Sequence, residues 1–122
     1  MKYEVNYTVG DNIPNLVSIT RDETGRVITS LDGYRFFYTA KVNVEDSDEQ
    51  AKVRMSNIGG ETARDGDMLV QGNDVYWEVN PELCKTLSMV TLFDFQVVTP
   101  AGRVFTLFSG INIPESEITN AV

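Results

Sequence analysis

Histidine is absent from this 122-residue sequence, and cysteine occurs once, as Cys84. Histidine is the commonest general base near neutral pH and the commonest metal ligand, so its absence removes zinc sites and the nucleophiles that a histidine activates. A single cysteine excludes an internal disulfide and fits synthesis in a reducing cytosol. Because Cys84 lies in a leucine-flanked turn, we interpret it as a small buried apolar residue rather than a reactive thiol.

Basic residues are also scarce. The chain has 10 Lys and Arg against 18 Asp and Glu, a net charge of −8, and its basic residues form no cluster. Such a surface would repel a phosphate backbone, and no segment approaches the ~20 apolar residues of a membrane helix. We therefore expect neither a nucleic-acid nor a membrane partner. With 42% hydrophobic residues, residues 1–122 are predicted to form one globular domain.

Two acidic clusters carry oxygen atoms of the kind that calcium prefers. Neither has the glycine and the distal glutamate of a twelve-residue calcium loop, so solvated hairpin ends are the better interpretation. No carboxylate pair is set apart from the others as a glycosidase site would require. We predict no metal, no cofactor and a non-enzymatic function. The clusters are Asp46, Asp48 and Glu49, and Asp65 and Asp67.

Alternating hydrophobicity is the main structural signal. Residues 34–44 alternate without a break and predict a half-buried strand at the centre of a sheet. Residues 75–79 predict another strand, with Trp77 as the core anchor, and the Asn80-Pro81 pair predicts one helical turn over residues 82–87. Residues 57–67 have no apolar period and predict an irregular loop. Short strands separated by turn signals every ~8 to 12 residues favour an all-β sandwich of about seven or eight strands.

The last third of the chain predicts a long β-hairpin. Phe93, Phe95 and Val97 alternate with polar residues, and a turn containing Pro100 and Gly102 follows. Proline presets φ and glycine supplies a positive φ, so this turn has a physical basis. In the second strand an apolar set recurs at even spacing and predicts one buried face. That set is Phe105, Leu107, Ile111 and Ile113.

This hairpin also resembles a known family. Its order is an aromatic-Asp-Phe-Gln-Val strand, a Gly-Arg turn, Val-Phe-Thr-Leu-x-Ser-Gly, then Ile-x-Ile-Pro and an acidic-Thr tail. It is similar to the closing hairpin of small immunoglobulin-like modules in tailed-phage virions, and most of all to the N-terminal domain of baseplate upper proteins. The resemblance implies an immunoglobulin-like sandwich in a virion structural protein of the baseplate or tail tip.

The same resemblance implies docking to other tail or fibre proteins, many copies in a symmetric assembly, and a location in the virion after synthesis in the host cytoplasm. Two alternatives stay open. One keeps the virion and makes the chain a capsid decoration or head-fibre-anchoring protein. The other is a carbohydrate-binding module that uses Tyr76 or Tyr34 as a stacking platform.

Three apolar residues are candidates for a partner interface. Phe37 falls on the polar side of its predicted strand, and Val104 and Phe108 fall opposite Phe105 in theirs. Two strands would then be apolar on both faces. Either loops of the same domain cover these residues, or they contribute to a protein interface, where aromatic anchors concentrate binding energy.

The ends of the chain supply further candidates. Tyr3, Val5 and Tyr7 alternate with polar residues, and residues 1–12 are additional relative to the phage modules. We expect this segment to be an arm that adds a strand to a neighbour's open sheet edge. The alternative is a strand within its own sheet. Residues 114–122 are predicted to be a C-terminal tail.

Overall fold

The computed structural model describes residues 2–8, 13–22, 24–84, 87 and 89–115, and for residues 2–8 and 115 it describes the backbone alone. Eight strands lie in these ranges: β1 (Lys2–Thr8), β2 (Ile13–Ser18), β3 (Arg35–Lys41), β4 (Val53–Ser56), β5 (Leu69–Gln71), β6 (Asp74–Val79), β7 (Thr91–Val98) and β8 (Val104–Glu115). The helical elements there are α1 (Pro81–Cys84) and two 3₁₀ turns, Asp48–Gln50 and Gly60–Ala63. None of them has the length and apolar character needed to span a bilayer.

The strands form two sheets that pack face to face. The larger sheet has the order β1-β8-β7-β3-β4, and the smaller has the order β2-β6-β5. All neighbouring pairs are antiparallel except β1 and β8. In an immunoglobulin domain, strands B, E and D face strands G, F and C, and variable-type domains add C′ beside C. Here β2-β6-β5 takes the first order and β8-β7-β3-β4 the second, so the predicted immunoglobulin-like sandwich is confirmed.

The core lies between the sheets and is rich in aromatic rings. Trp77 of β6 is 1% exposed, and its ring centroid lies 5.0 Å from that of Phe95 and 5.4 Å from that of Tyr38. Alternate residues of β3 and β7 point inward and meet it, as the period-two pattern predicts. The predicted core position of Trp77 is confirmed. Its indole Nε1 is buried without a hydrogen-bond partner among the described residues.

A β-bulge in β8 overturns the even-spacing prediction for that strand. Phe95 pairs with Phe108, but the next residue of β7, Gln96, pairs with Thr106, so Leu107 is an extra residue. One inserted residue inverts the inward and outward alternation beyond it. Phe105 and Phe108 therefore both pack against the core, and Leu107 is 37% exposed. The prediction that Phe108 lies opposite Phe105 was wrong.

Past the bulge, a polar residue takes the inward position. Asn112 is 3% exposed and pairs with Thr91 across the two strands. Its Nδ2 donates to Thr91 Oγ1 at 3.1 Å and to the hydroxyl of Tyr38 at 3.3 Å. This small network satisfies a buried amide, which would otherwise destabilise the fold. Ile111 correspondingly faces away from the core, contrary to the even-spacing prediction.

β3 is shorter than predicted. β3 ends at Lys41 because the chain turns there: Asn43 N donates to Asp46 Oδ2, and Asp46 N donates back to Asn43 O. Val44 is consequently 74% exposed instead of extending the apolar face. The helical turn predicted over residues 82–87 corresponds to α1 (Pro81–Cys84), and residues 85–86 of the prediction lie outside the described residues. Asn80 caps α1: its Oδ1 accepts a hydrogen bond from Leu83 N at 2.8 Å.

The segment predicted to be an irregular loop covers the edge of β4. Arg54 N donates to Asp65 Oδ2 at 2.9 Å, and Asp65 N donates to Arg54 O at 3.0 Å. Met68 N donates to Ser56 O at 2.7 Å. Exposed strand edges invite pairing with other chains, and covering them with local structure prevents it. The larger sheet is therefore closed at its β4 edge.

The N-terminal segment lies in its own sheet. β1 pairs in parallel with β8, from Lys2 opposite Ser109 to Thr8 opposite Glu115. Tyr3, Val5 and Tyr7 take register positions opposite Gly110, Asn112 and Pro114, and their side chains lie outside the described residues. The prediction of a free arm is thus corrected: the segment is an edge strand of the protein's own larger sheet. β8 itself runs to Glu115, one residue into the predicted tail, whose residues 116–122 lie outside the description.

Candidate functional site

The outer face of the larger sheet forms a groove of about 940 Å³. Its floor is built by the outward side chains of β3, β4, β7 and β8, and the loop after β3 forms one wall. The polar residues that line it include Thr39, Lys41, Asp48, Arg54, Asp94, Gln96 and Ser109. The apolar ones include Phe37, Leu92 and Ile111.

Strand register arranges these side chains in rows across the sheet. One row runs from Arg54 through Thr39 and Asp94 to Ser109. Phe37 and Gln96, which pair with each other, form a second row on one side of it. Neighbouring strands are about 4.8 Å apart, so the Arg54 and Asp94 backbones, two strands apart, are separated by roughly 10 Å.

A third row runs on the other side of Thr39 and Asp94. Lys41 of β3 pairs with Leu92 of β7, which pairs with Ile111 of β8. The groove therefore has an aromatic ring at one end, aliphatic side chains at the other, and hydrogen-bonding groups between them.

Some of the charged side chains in the groove are paired with an opposite charge and others are not. Lys41 Nζ lies 3.0 Å from Asp48 Oδ1 at the wall. In contrast, the side chains of Arg54 and Asp94 make no hydrogen bond or ion pair within the part of the chain that the structure describes. Burial raises the pKa of Asp94; nearby Lys41 offsets part of this effect and Asp48 adds to it. Asp94 is thus a half-buried carboxylate whose ionised form is, on balance, destabilised by folding.

We expect Asp94→Asn to stabilise the protein at pH 7. Because the pKa of Asp94 is raised in the folded state above the ordinary value of 3.8, the folded protein binds this proton more tightly than the unfolded chain does. Stability therefore falls as the pH rises from the ordinary value through the folded-state pKa. The variant should melt about 2 °C higher at pH 7, and the gain should disappear below the ordinary pKa. The matched control is Asp32→Asn, which removes one exposed charge; an equal gain there would assign the effect to net charge.

The interface residues predicted from sequence do not come together. Phe37 lies in the groove, whereas Val104 is 62% exposed at the start of β8 and is not among the groove residues. Phe108 packs inward, with its ring stacked 5.0 Å from that of Phe95. The groove was missed because Asp94 and Gln96 were interpreted only as the polar side of a strand. The sequence of each strand shows which face Arg54, Phe37 and Asp94 occupy. Whether these three side chains lie close together depends on the order of the strands in the sheet.

A second exposed surface crosses the smaller sheet. Leu16 of β2 pairs with Tyr76 of β6, and Tyr76 pairs with Leu69 of β5. Leu16 is 64% exposed and Leu69 is 61% exposed. These three side chains are called the outer apolar row below. The hydroxyl of Tyr76 donates to Glu78 Oε2 at 2.7 Å, and this bond raises the pKa of Tyr76.

The two tyrosines named as alternative sugar platforms belong to different elements of the fold. Tyr76 belongs to the outer apolar row, while Tyr34 precedes β3 and its ring lies 6.3 Å from that of core residue Phe36, nearly parallel to it. Both are half-buried. They are therefore two separate candidates, each for a platform of a single ring.

The two acidic clusters are engaged in local structure. Asp48 pairs with Lys41, Asp46 accepts from Asn43 N, and Asp65 accepts from Arg54 N and pairs with Arg64 at 2.7 Å. Across the described ranges, no three acidic or cysteine side chains converge as metal ligands would.

We expect neither EDTA nor added calcium to change the melting temperature by more than about one degree. A ligand that binds only the folded state must raise that temperature by mass action. Calorimetry with and without calcium measures the effect directly. A saturable rise of several degrees, lost in Asp65→Asn, would contradict the prediction and place a calcium site at that cluster.

No protein-family model matches this sequence, and no curated protein matches it either. Function is therefore inferred from the groove, from the outer apolar row and from the sequence resemblance of the closing hairpin.

Proposed function

We propose that this protein is a non-enzymatic structural protein of a tailed-phage virion, a baseplate or tail-tip component that docks other tail or fibre proteins. The observation that carries the docking role is the outer apolar row, an apolar surface on the side of the smaller sheet away from the core. The virion setting comes from the resemblance of the hairpin over residues 92–119. The immunoglobulin-like fold is compatible with this role but also hosts many others.

The outer apolar row has the character of a contact surface. Leu16, Tyr76 and Leu69 span all three strands of the smaller sheet, and the two leucines are mostly exposed. Contiguous exposed apolar side chains mark protein interaction sites more often than isolated ones do. A partner that covers them would remove apolar area from water and gain about 25 cal/mol per Å².

The edge of the same sheet adds a second contact mode. Among the described strands β2 pairs with β6 alone, so its other edge is available to a strand of a neighbouring protein. Main-chain hydrogen bonds would then supply affinity and the apolar row would supply the anchors. This edge replaces residues 1–12 as the proposed place of strand addition, because β1 already pairs with β8.

The test is incorporation into particles. The double variant Leu16→Ser/Leu69→Ser should fold with an unchanged melting temperature and yet be missing from purified virions. The matched control is Val27→Ser, which removes an apolar side chain of the same 64% exposure outside the row, and it should be incorporated normally. Incorporation of the double variant at the wild-type level would contradict docking through this surface.

Fractionation decides where in the virion the protein lies. Tails and heads are separated on a density gradient and each is probed for the chain by mass spectrometry. Presence in tails supports the baseplate or tail-tip role. Presence in heads would select the alternative of a capsid decoration or fibre-anchoring protein, and absence from both would overturn the virion assignment.

A further inference from the structure

We infer that the groove on the larger sheet is a binding site for a neutral oligosaccharide, with Phe37 as the stacking ring and Asp94 and Arg54 as the main hydrogen-bonding groups. The inference is independent of the proposed virion role, because it concerns the opposite outer face of the sandwich from the outer apolar row.

The hydrogen-bonding groups of the groove suit a polyhydroxyl ligand. A sugar hydroxyl both donates and accepts, so a saccharide site needs both capacities side by side. Ionised Asp94 accepts, Arg54 donates, and Gln96 can do both. Thr39 and Ser109 lie in the same row as the two charged groups and add hydroxyls that both donate and accept.

These groups are also available. None of the five side chains makes a hydrogen bond or ion pair with another residue within the described ranges. They are nevertheless half-buried or face a concave surface, where a ligand hydroxyl can replace water. The pKa of Asp94 is raised because its carboxylate is half-buried and has no hydrogen-bond or ion-pair partner among the described residues. An acidic residue that destabilises the fold at this position is explained by a contact with a ligand and not by a structural role.

The apolar part of the groove fits the faces of sugar rings. The C–H face of a pyranose packs on an aromatic ring, and Phe37 is half-buried on the outer side of β3. Leu92 and Ile111 continue the apolar floor on the far side of the polar row. The volume of about 940 Å³ is at the upper end of ordinary ligand sites, which span about 300 to 1,000 Å³. It accommodates several linked rings.

The charges disfavour an ionic ligand. Lys41 is paired with Asp48, and the two unpaired charges, on Arg54 and Asp94, are of opposite sign. The groove therefore has no excess of one sign with which to attract an anion or a cation. A neutral ligand with many hydroxyls uses both groups without leaving either charge uncompensated.

An extended peptide fits less well. β3 and β7 are interior strands whose main-chain groups are used in the sheet, and the edge of β4 is closed by Asp65. A peptide in this groove would find no free strand edge with which to form main-chain hydrogen bonds, which supply most of the affinity in strand addition.

The test is titration of the isotope-labelled protein, followed by NMR, with cellotetraose, maltotetraose, chitotetraose and laminaritetraose in turn. We expect at least one to shift the amide signals of Phe37, Thr39, Asp94 and Gln96 in a saturable manner. Binding should not weaken with added salt, because a neutral ligand releases no counterions. No shift with any of the four, or shifts confined to other surfaces, would overturn the inference.

Variants separate the roles of the residues. Phe37→Ala and Asp94→Ala should each weaken the affinity by at least about tenfold, and tenfold corresponds to about 1.4 kcal/mol. Leu69→Ser, on the other face, should leave it unchanged. Melting curves verify that each variant is folded. Undiminished binding by both groove variants, or a steep loss of affinity with salt, would show that the site or the ligand class is wrong.

Discussion

Trp77→Ala should lower the free energy of unfolding by about 3 to 5 kcal/mol, the range for truncating a large aromatic side chain in a core. Trp77 is 1% exposed and contacts the rings of Tyr38 and Phe95, which belong to the opposite sheet. Removing it leaves a cavity where the two sheets meet. Chemical denaturation followed by far-ultraviolet circular dichroism measures the loss without relying on the deleted fluorophore.

Trp77→Phe is the matched control for that experiment. Phenylalanine keeps an aromatic ring between the sheets and removes the indole Nε1, which is buried without a partner among the described residues. An unsatisfied buried donor costs about 1 to 3 kcal/mol, so its removal offsets part of the lost volume. We expect this variant to lie within about 1.5 kcal/mol of wild type.

Intrinsic fluorescence gives an independent check, because Trp77 is the only tryptophan of the chain. The native protein should emit at short wavelength and resist quenching by iodide or acrylamide. A red-shifted and readily quenched native emission would contradict the burial of Trp77, and with it the register of β6 against β2.

Deletion of residues 1–12 should destabilise the sandwich and promote aggregation. β1 pairs with β8 over seven positions, and each main-chain hydrogen bond contributes about 0.5 to 1.5 kcal/mol net. With the entropy that the segment regains on release, we expect a loss of roughly 2 to 4 kcal/mol. The deletion also uncovers the edge of β8, a long strand able to pair with other chains. Differential scanning calorimetry and light scattering measure the two effects.

Rescue in trans tests the cause. A synthetic peptide of residues 1–12 should raise the melting temperature of the truncated protein and reduce its scattering, since binding to the folded state stabilises it by mass action. A peptide of scrambled sequence should do neither. A truncated protein that melts at the full-length temperature and stays monodisperse would instead show that β1 contributes little, and would restore the arm prediction.

The alternation within single strands was predictable from the sequence. Phe36, Tyr38 and Ala40 in β3 and Phe93, Phe95 and Val97 in β7 point inward as predicted, because a pleated strand alternates its side chains whatever its neighbours are. The same applies to Trp77 and to the turn containing Pro100 and Gly102, where Gly102 N donates to Thr99 O at 2.8 Å. Local geometry decides these features.

The groove depended on strand order, which the sequence does not display. Arg54, Thr39, Asp94 and Ser109 come from four strands spread over 71 residues, and only the pairing of β4, β3, β7 and β8 places them in one row. Each strand could be assigned a polar side from the sequence. Which polar sides would be adjacent is decided by the long-range pairing that builds the sheet.

The sequence by itself thus determined an all-β sandwich and the inward residues of β3, β6 and β7, because alternation within one strand is a local property. Tertiary structure alone decided the positions of Phe108 and β1. The bulge at Leu107 inverts the alternation of β8, so that Phe108 stacks on Phe95 while Phe105 pairs with Val97. β1 joined β8 because a strand edge left open in the same domain is the nearest partner for an alternating segment.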